Sequence, residues 1–493
     1  MKQLLKNLKT EYVILALIFL FTLAFRLYFS FQTNHFNTDD AYFHLRHIEY
    51  ILENKSIMFF DDLSYGGRIV LYPPFFHILM ALLTFGSTFM LKLIPALAIS
   101  SVVIIVYLIS RDMCLSKRGA MIAALLSGFY PILFNLTLNN ISVYTFVIPL
   151  ILLLIYSLTR LDDKKYLWIY IIGSFLLPLI HASAFIFIIS LVLYFFLIAG
   201  GALLPTKIKK EAALFSILIT VLLQFIIYKK VILEYGLSLI SQSIPVNVLS
   251  DLYGELSFSD LFIGIGFLPL ILGSLGFYVS AIKEKRKIAY LFAAFGLTVL
   301  MLIFFRFLSI KVGLMFIGLV LAIFSGSGYT LIRDYFYRIK FSSLNKYFII
   351  LILLLLFFTS LIPSYYGAKE SNNIAISNIK EMQILKANTE PGDVILGNLQ
   401  EGNLISHVAQ RKNVIDTNFI LAPNPIERVE DVNLIYTTYS DAIALDLIEK
   451  YNISAIYVSD RTKDVYKIKN LKYASSSVCF KSESRETFYY VEC

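Results

Sequence analysis

Two adjacent carboxylates, Asp39 and Asp40, follow shortly after the first long apolar run of the chain, residues 12–31. His44 and Arg46 come soon after them. A carboxylate can ligate a divalent cation or take a proton from an attacking group, and a guanidinium can bind a phosphate through two parallel hydrogen bonds. Because only 16% of the chain is charged, a charged cluster at a membrane edge is a candidate functional site.

A helix that runs to about Asn54 is predicted to carry this cluster, with Thr38, Asp39 or Asp40 as its N-cap. Its apolar positions recur at helical spacing and are expected on one face: Leu45, Ile48, Ile51 and Leu52. His44 lies one turn after Asp40, with Cβ atoms about 6 Å apart. The alternative is an interfacial helix whose carboxylates only satisfy backbone N–H groups.

The composition predicts a membrane protein. The chain has 493 residues and is 58% hydrophobic. Apolar runs long enough to cross about 30 Å of hydrocarbon recur along its first three quarters, so we predict a polytopic α-helical protein with about 11–13 transmembrane helices. Eleven spans are assigned directly, near residues 11–31, 93–110, 119–134, 143–159, 167–180, 183–204, 211–228, 261–282, 288–304, 308–328 and 345–363.

Lysine and arginine cluster in alternate loops of this arrangement. Such clusters mark cytoplasmic loops, so the net charge of +9 need not mean nucleic-acid binding, and no nucleic-acid partner is expected. The same rule predicts a multi-pass protein of the cell membrane with a cytoplasmic N-terminus and an extracytoplasmic C-terminal region. The apolar run at residues 69–92 is broken by Pro73, Pro74 and Gly86, and we therefore expect interfacial or re-entrant helices there.

Polarity changes abruptly after Pro363. Residues 1–363 are predicted to form the transmembrane domain, with a long first outer loop at 32–92. Residues 364–493 are predicted to form a soluble extracytoplasmic α/β domain. Within it we expect strands at 394–396, 413–415 and 453–458, helices at 403–410 and 441–450, and a terminal hairpin at 477–480 and 487–491. Cys479 and Cys493 could pair across that hairpin.

Three motifs in the first outer loop resemble a known family. They are Asp-Asp-Ala-Tyr-Phe-His-Leu-Arg at 39–46, Leu-Ser-Tyr-Gly-Gly-Arg at 63–68 and Tyr-Pro-Pro at 72–74. This loop resembles that of the catalytic subunit of oligosaccharyltransferases, especially the archaeal type, which are GT-C class membrane glycosyltransferases. The resemblance implies a GT-C-like fold and transfer of a glycan from a dolichyl or polyprenyl (di)phosphate onto asparagine in a protein.

The resemblance also implies roles for particular residues. Asp40 matches the family's first metal-binding aspartate, and Asp39 joins it as a catalytic candidate. A divalent cation, Mn²⁺ or Mg²⁺, would help to bind the diphosphate leaving group. Arg306 matches an arginine that meets the lipid-linked phosphate, and His44 and Arg46 are further candidates for substrate binding. The alternative for Arg306 is an edge arginine that extends to lipid headgroups.

The sequence also departs from the family's pattern. The loop at 135–144, where a second acidic motif is expected, contains no Asp or Glu. In the later outer loop, Gln242 replaces the expected glutamate and is a further candidate for substrate binding, with Asp251, Glu255 and Asp260 downstream. At 394–405, the family's Trp-Trp-Asp-Tyr-Gly motif is reduced to Gly402. The residues 411–418 resemble the family's segment on the C-terminal side of that motif.

These observations predict a glycosyltransferase that uses a polyprenyl-linked sugar donor within the lipid bilayer, with a protein as the first choice of acceptor. The missing acids leave one alternative open, a metal-independent enzyme that takes a polyprenyl-monophosphate sugar and modifies a lipid or glycan. A second alternative is a non-enzymatic transporter or scaffold for lipid-linked glycans. A transporter should carry paired acids near the bilayer midplane, and the predicted spans contain none.

Overall fold

The structure is a computed structural model that describes residues 10–200, 205–235, 248, 258–339, 344–474, 479–482 and 487–492. Within these residues, six helices are long and apolar enough to cross a membrane: Thr10–Ser30, Thr88–Cys114, Lys207–Val231, Lys287–Phe304, Ile310–Arg338 and Lys346–Ala387. A pair bent by 44° can form a seventh span, and four shorter helices are also apolar. The predicted polytopic helical fold is confirmed, with several of the predicted spans present as shorter helices.

In chain order, the longer helices are α1 (Thr10–Ser30), α2 (Asp39–Asn54), α3 (Phe75–Thr84), α4 (Thr88–Ser100), α5 (Val102–Cys114), α6 (Lys117–Gly128), α7 (Pro131–Thr137), α8 (Tyr144–Thr159), α9 (Lys164–Ile180), α10 (Ala184–Gly200), α11 (Lys207–Tyr235), α12 (Phe258–Ile265), α13 (Phe267–Phe277), α14 (Lys287–Phe304), α15 (Ile310–Arg338), α16 (Leu344–Leu356), α17 (Ile362–Ala387), α18 (Pro425–Thr437), α19 (Asp441–Lys450) and α20 (Asp460–Tyr466). The strands are β1 (Phe60–Asp61), β2 (Arg68–Ile69), β3 (Val394–Leu396), β4 (Lys412–Asn413), β5 (Ile453–Tyr457), β6 (Phe480–Ser482) and β7 (Phe488–Val491). Short helical turns lie at Ser64–Gly66, Tyr278–Lys283, Phe357–Leu361, Leu399–Glu401, Gly402–Leu404, Ile405–Ala409 and Phe419–Leu421.

The chain forms two compact units. Unit 1 comprises Met1–Asn34, Ser87–Phe225 and Glu255–Ser371, and unit 2 comprises His35–Gly86, Ile226–Gly254 and Asn372–Cys493. The boundary predicted after residue 363 stays a prediction. Unit 2 includes both the first-loop motifs and the C-terminal residues, so contacts between these distant parts of the chain lie within one unit.

Unit 1 is a bundle in which α13 packs closely against α15. A Cβ atom at Gly276 would overlap the carbonyl oxygen of Phe324, and a Cβ at Gly328 would overlap that of Leu272. Without side chains at these glycines, the two backbones come into direct contact, as small residues allow in membrane helices.

Unit 2 contains a five-stranded sheet in the order β4-β3-β5-β7-β6. β3 pairs in parallel with β4 and β5, whereas β7 is antiparallel to both β5 and β6. Its apolar core includes Leu396 and Ile456 from the sheet, Tyr436 from α18, and Tyr65 from the first loop. The sheet-containing C-terminal region predicted from the sequence is confirmed.

Local signals predicted several elements well. Helix α19 has the predicted bounds, and α2 begins after Thr38, one of its three candidate N-caps, and ends at the predicted Asn54. The predicted hairpin is present as β6 and β7, with β6 at Phe480–Ser482 where residues 477–480 were predicted. The span predicted to begin at residue 93 instead begins at Thr88, so Lys92 lies inside a helix. Cys479 is disulfide-bonded and Cys114 is free, whereas Cys493 lies outside the described residues.

The close packing of α13 on α15 predicts that Gly276→Ala lowers the thermal unfolding temperature in detergent. The added methyl group displaces the backbone of α15, and such overpacking costs about 1–3 kcal/mol. Gly296→Ala on α14 is the matched control, because its Cβ would lie 3.8 Å from the nearest atom, an ordinary contact. Equal unfolding temperatures for the two variants would contradict this packing.

Candidate functional site

Helix α2 places both candidate carboxylates in its first turn. Thr38 has the extended conformation of an N-cap residue, with φ −126° and ψ 150°, and Asp39 and Asp40 follow it directly. The exposed N–H groups of a helix start favour acidic side chains at this position. The N-terminal half of α2 is largely buried, at residues 41–45, 47 and 48, and this packing fixes the direction of the first turn. Of the predicted apolar face, Leu45 and Ile48 are buried, whereas Ile51 and Leu52 are partly exposed.

Asp39 is held by residues from the far end of the sequence. Its carboxylate accepts hydrogen bonds from the side-chain amide of Asn403 at 2.7 Å and from the backbone N–H of Leu404 at 2.8 Å. The pKa of Asp39 is raised to about 8: burial raises it most, the charge of Asp40 adds to the rise, and the hydrogen bonds from Asn403 and Leu404 partly offset it. Asp39 therefore joins the first loop to the C-terminal part of unit 2.

Asp40 is the solvent-exposed member of the pair. Its Oδ1 accepts a hydrogen bond from the hydroxyl of Thr417 at 2.8 Å. Although solvent reaches the side chain, the surrounding protein withdraws hydration from the charged form and raises the pKa of Asp40, whereas the bond from Thr417 lowers it. A carboxyl that solvent can reach, with a raised pKa and one fixed hydrogen bond, can accept a proton from an incoming group.

His44 and Arg46, both predicted to bind substrate, have protein partners. Arg46 forms an ion pair with Asp61 at 2.5 Å, and both side chains are largely buried. Burial acts to raise the pKa of Asp61, but Arg46 brings it below its ordinary value. The Nδ1 of His44 lies 2.9 Å from the Nε2 of His77, and both rings are buried. The predicted substrate-binding roles of His44 and Arg46 stay predictions.

A buried ion pair that the sequence analysis did not identify holds the motif at 63–68. The Nη2 of Arg68 lies 2.9 Å from both oxygens of Asp416, and the two side chains are buried. The hydroxyl of Ser64 also donates to Asp416. The N–H of Tyr65 donates to the side-chain oxygen of Asn413 at 2.8 Å. Asp416 lies in the segment 411–418 that resembles the family, which was the only sequence signal for it.

The other predicted substrate-binding residues lie elsewhere. Arg306 lies in the turn between α14 and α15, with a left-handed φ of 60° and an exposed side chain. It belongs to unit 1. Gln242 lies outside the described residues, as do Asp251 and Glu255.

A cation at Asp40 would need further ligands from neighbouring side chains. Within the described residues, no group of three His, Cys, Asp or Glu side chains comes together in a way that could hold a metal ion. The described residues therefore do not supply the ligand set that the family resemblance implies. The cation stays a prediction, and no step of the proposed reaction depends on it.

Gly402, the one residue retained from the family's Trp-Trp-Asp-Tyr-Gly motif, has a packing role. A Cβ atom there would overlap the carbonyl oxygen of Ile415. The preceding Glu401 is buried and accepts a hydrogen bond from the N–H of Asn398 at 3.0 Å and another from the hydroxyl of Ser459. Burial raises the pKa of Glu401 to about 7. The glycine thus lets the turn that carries Asn403 lie directly on the strand region before Asp416.

Solved structures of an archaeal oligosaccharyltransferase share this fold. AglB from Archaeoglobus fulgidus, in complex with an inhibitory peptide and a dolichol-phosphate, matches with a TM-score of 0.68 and 15% identity, over 98% of this chain and 74% of that one. The Archaeoglobus fulgidus enzyme in its apo form, and tethered to an acceptor peptide containing the NVT sequon, matches with TM-scores of 0.66 over the same shares at 15% identity. No protein-family model matches the chain, and no curated protein matches its sequence. The GT-C-like fold implied by the resemblance is confirmed.

The buried pair of Arg68 and Asp416 predicts a strongly non-additive double-mutant cycle. Arg68→Met leaves the Asp416 carboxylate buried without its cation, and breaking such a pair typically costs about 3–5 kcal/mol. Arg68→Met combined with Asp416→Leu should recover a large part of that loss, since no charge stays buried. Chemical denaturation of the full-length protein measures the cycle. Additive effects of the two single substitutions would contradict a direct interaction.

Proposed function

We propose that the chain is a membrane glycosyltransferase that moves a glycan or sugar from a polyprenyl or dolichyl (di)phosphate to an extracytoplasmic acceptor, with protein as the first choice. The observation that carries this proposal is the exposed Asp40 carboxyl, with its raised pKa, held beside Asp39 at the start of α2. Further support comes from the fold, which is shared with an enzyme whose complexes contain a dolichol-phosphate or an acceptor peptide.

Asp40 is proposed to act as the base. In transfer, the acceptor's nitrogen or oxygen forms a bond to the sugar's anomeric carbon while the bond from that carbon to the phosphate oxygen breaks. The proton of the acceptor passes to Asp40, and the bonding electrons leave with the phosphate. A base whose pKa is raised above that of an ordinary aspartate has more driving force for this proton transfer.

Asp39 is proposed as a positioning residue. Its two carboxylate oxygens are occupied by Asn403 and Leu404, so they are directed toward the protein. It sets the rotation of the first turn of α2 and thereby the direction of Asp40.

Arg306 is proposed to bind the phosphate of the donor. Its exposed guanidinium in the turn between α14 and α15 is accessible to a charged group, and a fixed cation favours the charge that develops on a leaving phosphate. This role rests on the resemblance of Phe305-Arg306-Phe307 to the family's motif.

The second candidate is a metal-independent enzyme that uses a polyprenyl-monophosphate sugar and modifies a lipid or glycan. The loop at 135–144, which has no Asp or Glu, favours this version. A monophosphate leaving group carries less charge to neutralise, so a single carboxylate base suffices. Sensitivity of transfer to a chelator separates the two versions.

The base assignment predicts that Asp40→Ala and Asp40→Asn both lower the rate of transfer by about 10²-fold or more, because neither side chain accepts a proton at neutral pH. Transfer from a polyprenyl-linked sugar to a sequon peptide, or to a glycolipid, is measured in membranes. Asp62→Asn is the matched control, since Asp62 is an exposed carboxylate in the same loop.

The pH profile supplies a further readout. Only ionised Asp40 accepts a proton, so the rate should fall on acidification at a pH above the ordinary aspartate pKa of about 4. Full transfer by both Asp40 variants, or a rate that stays constant down to pH 4, would remove Asp40 from the mechanism.

A further inference from the structure

Arg26 is a buried arginine in a membrane-spanning helix. It lies one turn before the end of α1 and is only 1% exposed. Its Nη1 donates a hydrogen bond to the hydroxyl of Thr137 at 3.0 Å, and its guanidinium carbon lies 4.2 Å from the centre of the Phe134 ring. An ionisable side chain at such a position is expensive, and it is usually functional.

The remaining donors of Arg26 have no partner among the described residues. Its Nε and Nη2 atoms are buried and make no hydrogen bond there, and no ion pair with a described carboxylate compensates its charge. These two N–H groups form one edge of the guanidinium, the edge that binds a carboxylate or phosphate through two parallel hydrogen bonds. A buried charge left in this state is strongly unfavourable, so an anion is the partner that this edge fits.

A second buried cation lies beside it. Lys92 in α4 is 4% exposed, and its Nζ donates to the carbonyl oxygens of Ser30 at 2.6 Å and Thr33 at 2.5 Å. These acceptors hold the ammonium group in place.

Arg26 and Lys92 line the same recess of unit 1. It is narrow: the space inside it that a water-sized sphere can occupy is about 10 Å³, and part of the surrounding empty space is open to solvent. The other residues that line it are Ser30, Pro95, Ala96, Thr137, Leu138, Asn139 and Asn140. The lining contains two cations and no Asp or Glu, and therefore favours a ligand with more than one negative charge.

We propose that this recess, formed around Arg26 and Lys92, binds a phosphate group. The Nε–Nη2 edge of Arg26 would donate two parallel hydrogen bonds to two phosphate oxygens, and Lys92 would balance the second negative charge. Because the recess is narrow, only one edge of the phosphate group enters it. The rest of the molecule that carries the phosphate stays outside the recess.

The phosphate can belong to a prenyl lipid or be free in solution. The recess lies at the end of α1 opposite Glu11, whose carboxylate pairs with Lys117 at 2.9 Å, and the positive-inside rule predicts that it faces the outer side. A lipid-borne phosphate at the bilayer edge would reach it, and this version rests on the proposed function. Phosphate binding is measured without sugar transfer, so its result stands whether or not the chain is an enzyme.

The test measures saturable binding of inorganic phosphate, inorganic pyrophosphate and farnesyl phosphate to the purified full-length protein in nanodiscs, by calorimetry and by ligand-induced rise in unfolding temperature. At least one probe should bind the wild type. Arg26→Gln should weaken that binding at least tenfold, and Arg26→Lys should also weaken it, because lysine keeps the charge but lacks the two-donor edge.

Arg118→Gln is the matched control and should bind as the wild type does. It removes one exposed guanidinium from the other end of the same unit. Binding of farnesyl phosphate alone would assign the site to a lipid phosphate, and binding of the inorganic probes alone would assign it to a free one. The proposal would be overturned if the wild type showed no saturable binding, which would leave only water in the recess. Equal binding by Arg26→Gln and Arg118→Gln would also overturn it.

Discussion

A partly buried carboxylate needs hydrogen-bond donors, and Asp39 finds its donors more than 360 residues away in the sequence, at Asn403 and Leu404. This constraint ties the start of α2 to the C-terminal part of unit 2. Asp40 follows Asp39 in the same turn and is oriented by the same helix, with one further bond from Thr417. The candidate base is thus presented by a loop whose conformation depends on the C-terminal residues.

The ion pair of Arg68 and Asp416 serves the same purpose further along the loop. Each partner is nearly inaccessible to solvent, so neither is stable there without the other. The hydroxyl of Ser64 and the core position of Tyr65 add to this attachment. Two of the three first-loop motifs are therefore explained by their contacts with the C-terminal part of unit 2, which a purely catalytic interpretation of these motifs would overlook.

Local structure was predictable where local signals are strong. An N-cap among Thr38, Asp39 and Asp40 and the apolar spacing after it predicted α2 to within about two residues, and α19 was predicted with the bounds it has. Partners were not predictable, because no short-range pattern indicates that Asp39 meets Asn403 or that Asp40 meets Thr417. Arg46 shows the limit at short range, since a guanidinium that fits a phosphate fits Asp61 equally well. The buried Arg26 was missed for the opposite reason: a single charge within a long apolar run does not disturb the prediction of a span.

Hydrogen exchange at the amide of Leu404 tests most directly whether Asp39 fastens the first loop to the C-terminal part of unit 2. We expect Asp39→Ala to accelerate deuterium uptake in the peptide covering residues 399–411, because the Leu404 N–H loses its acceptor, while Asp62→Ala leaves uptake unchanged. Identical protection of this peptide in wild type and Asp39→Ala would contradict the account.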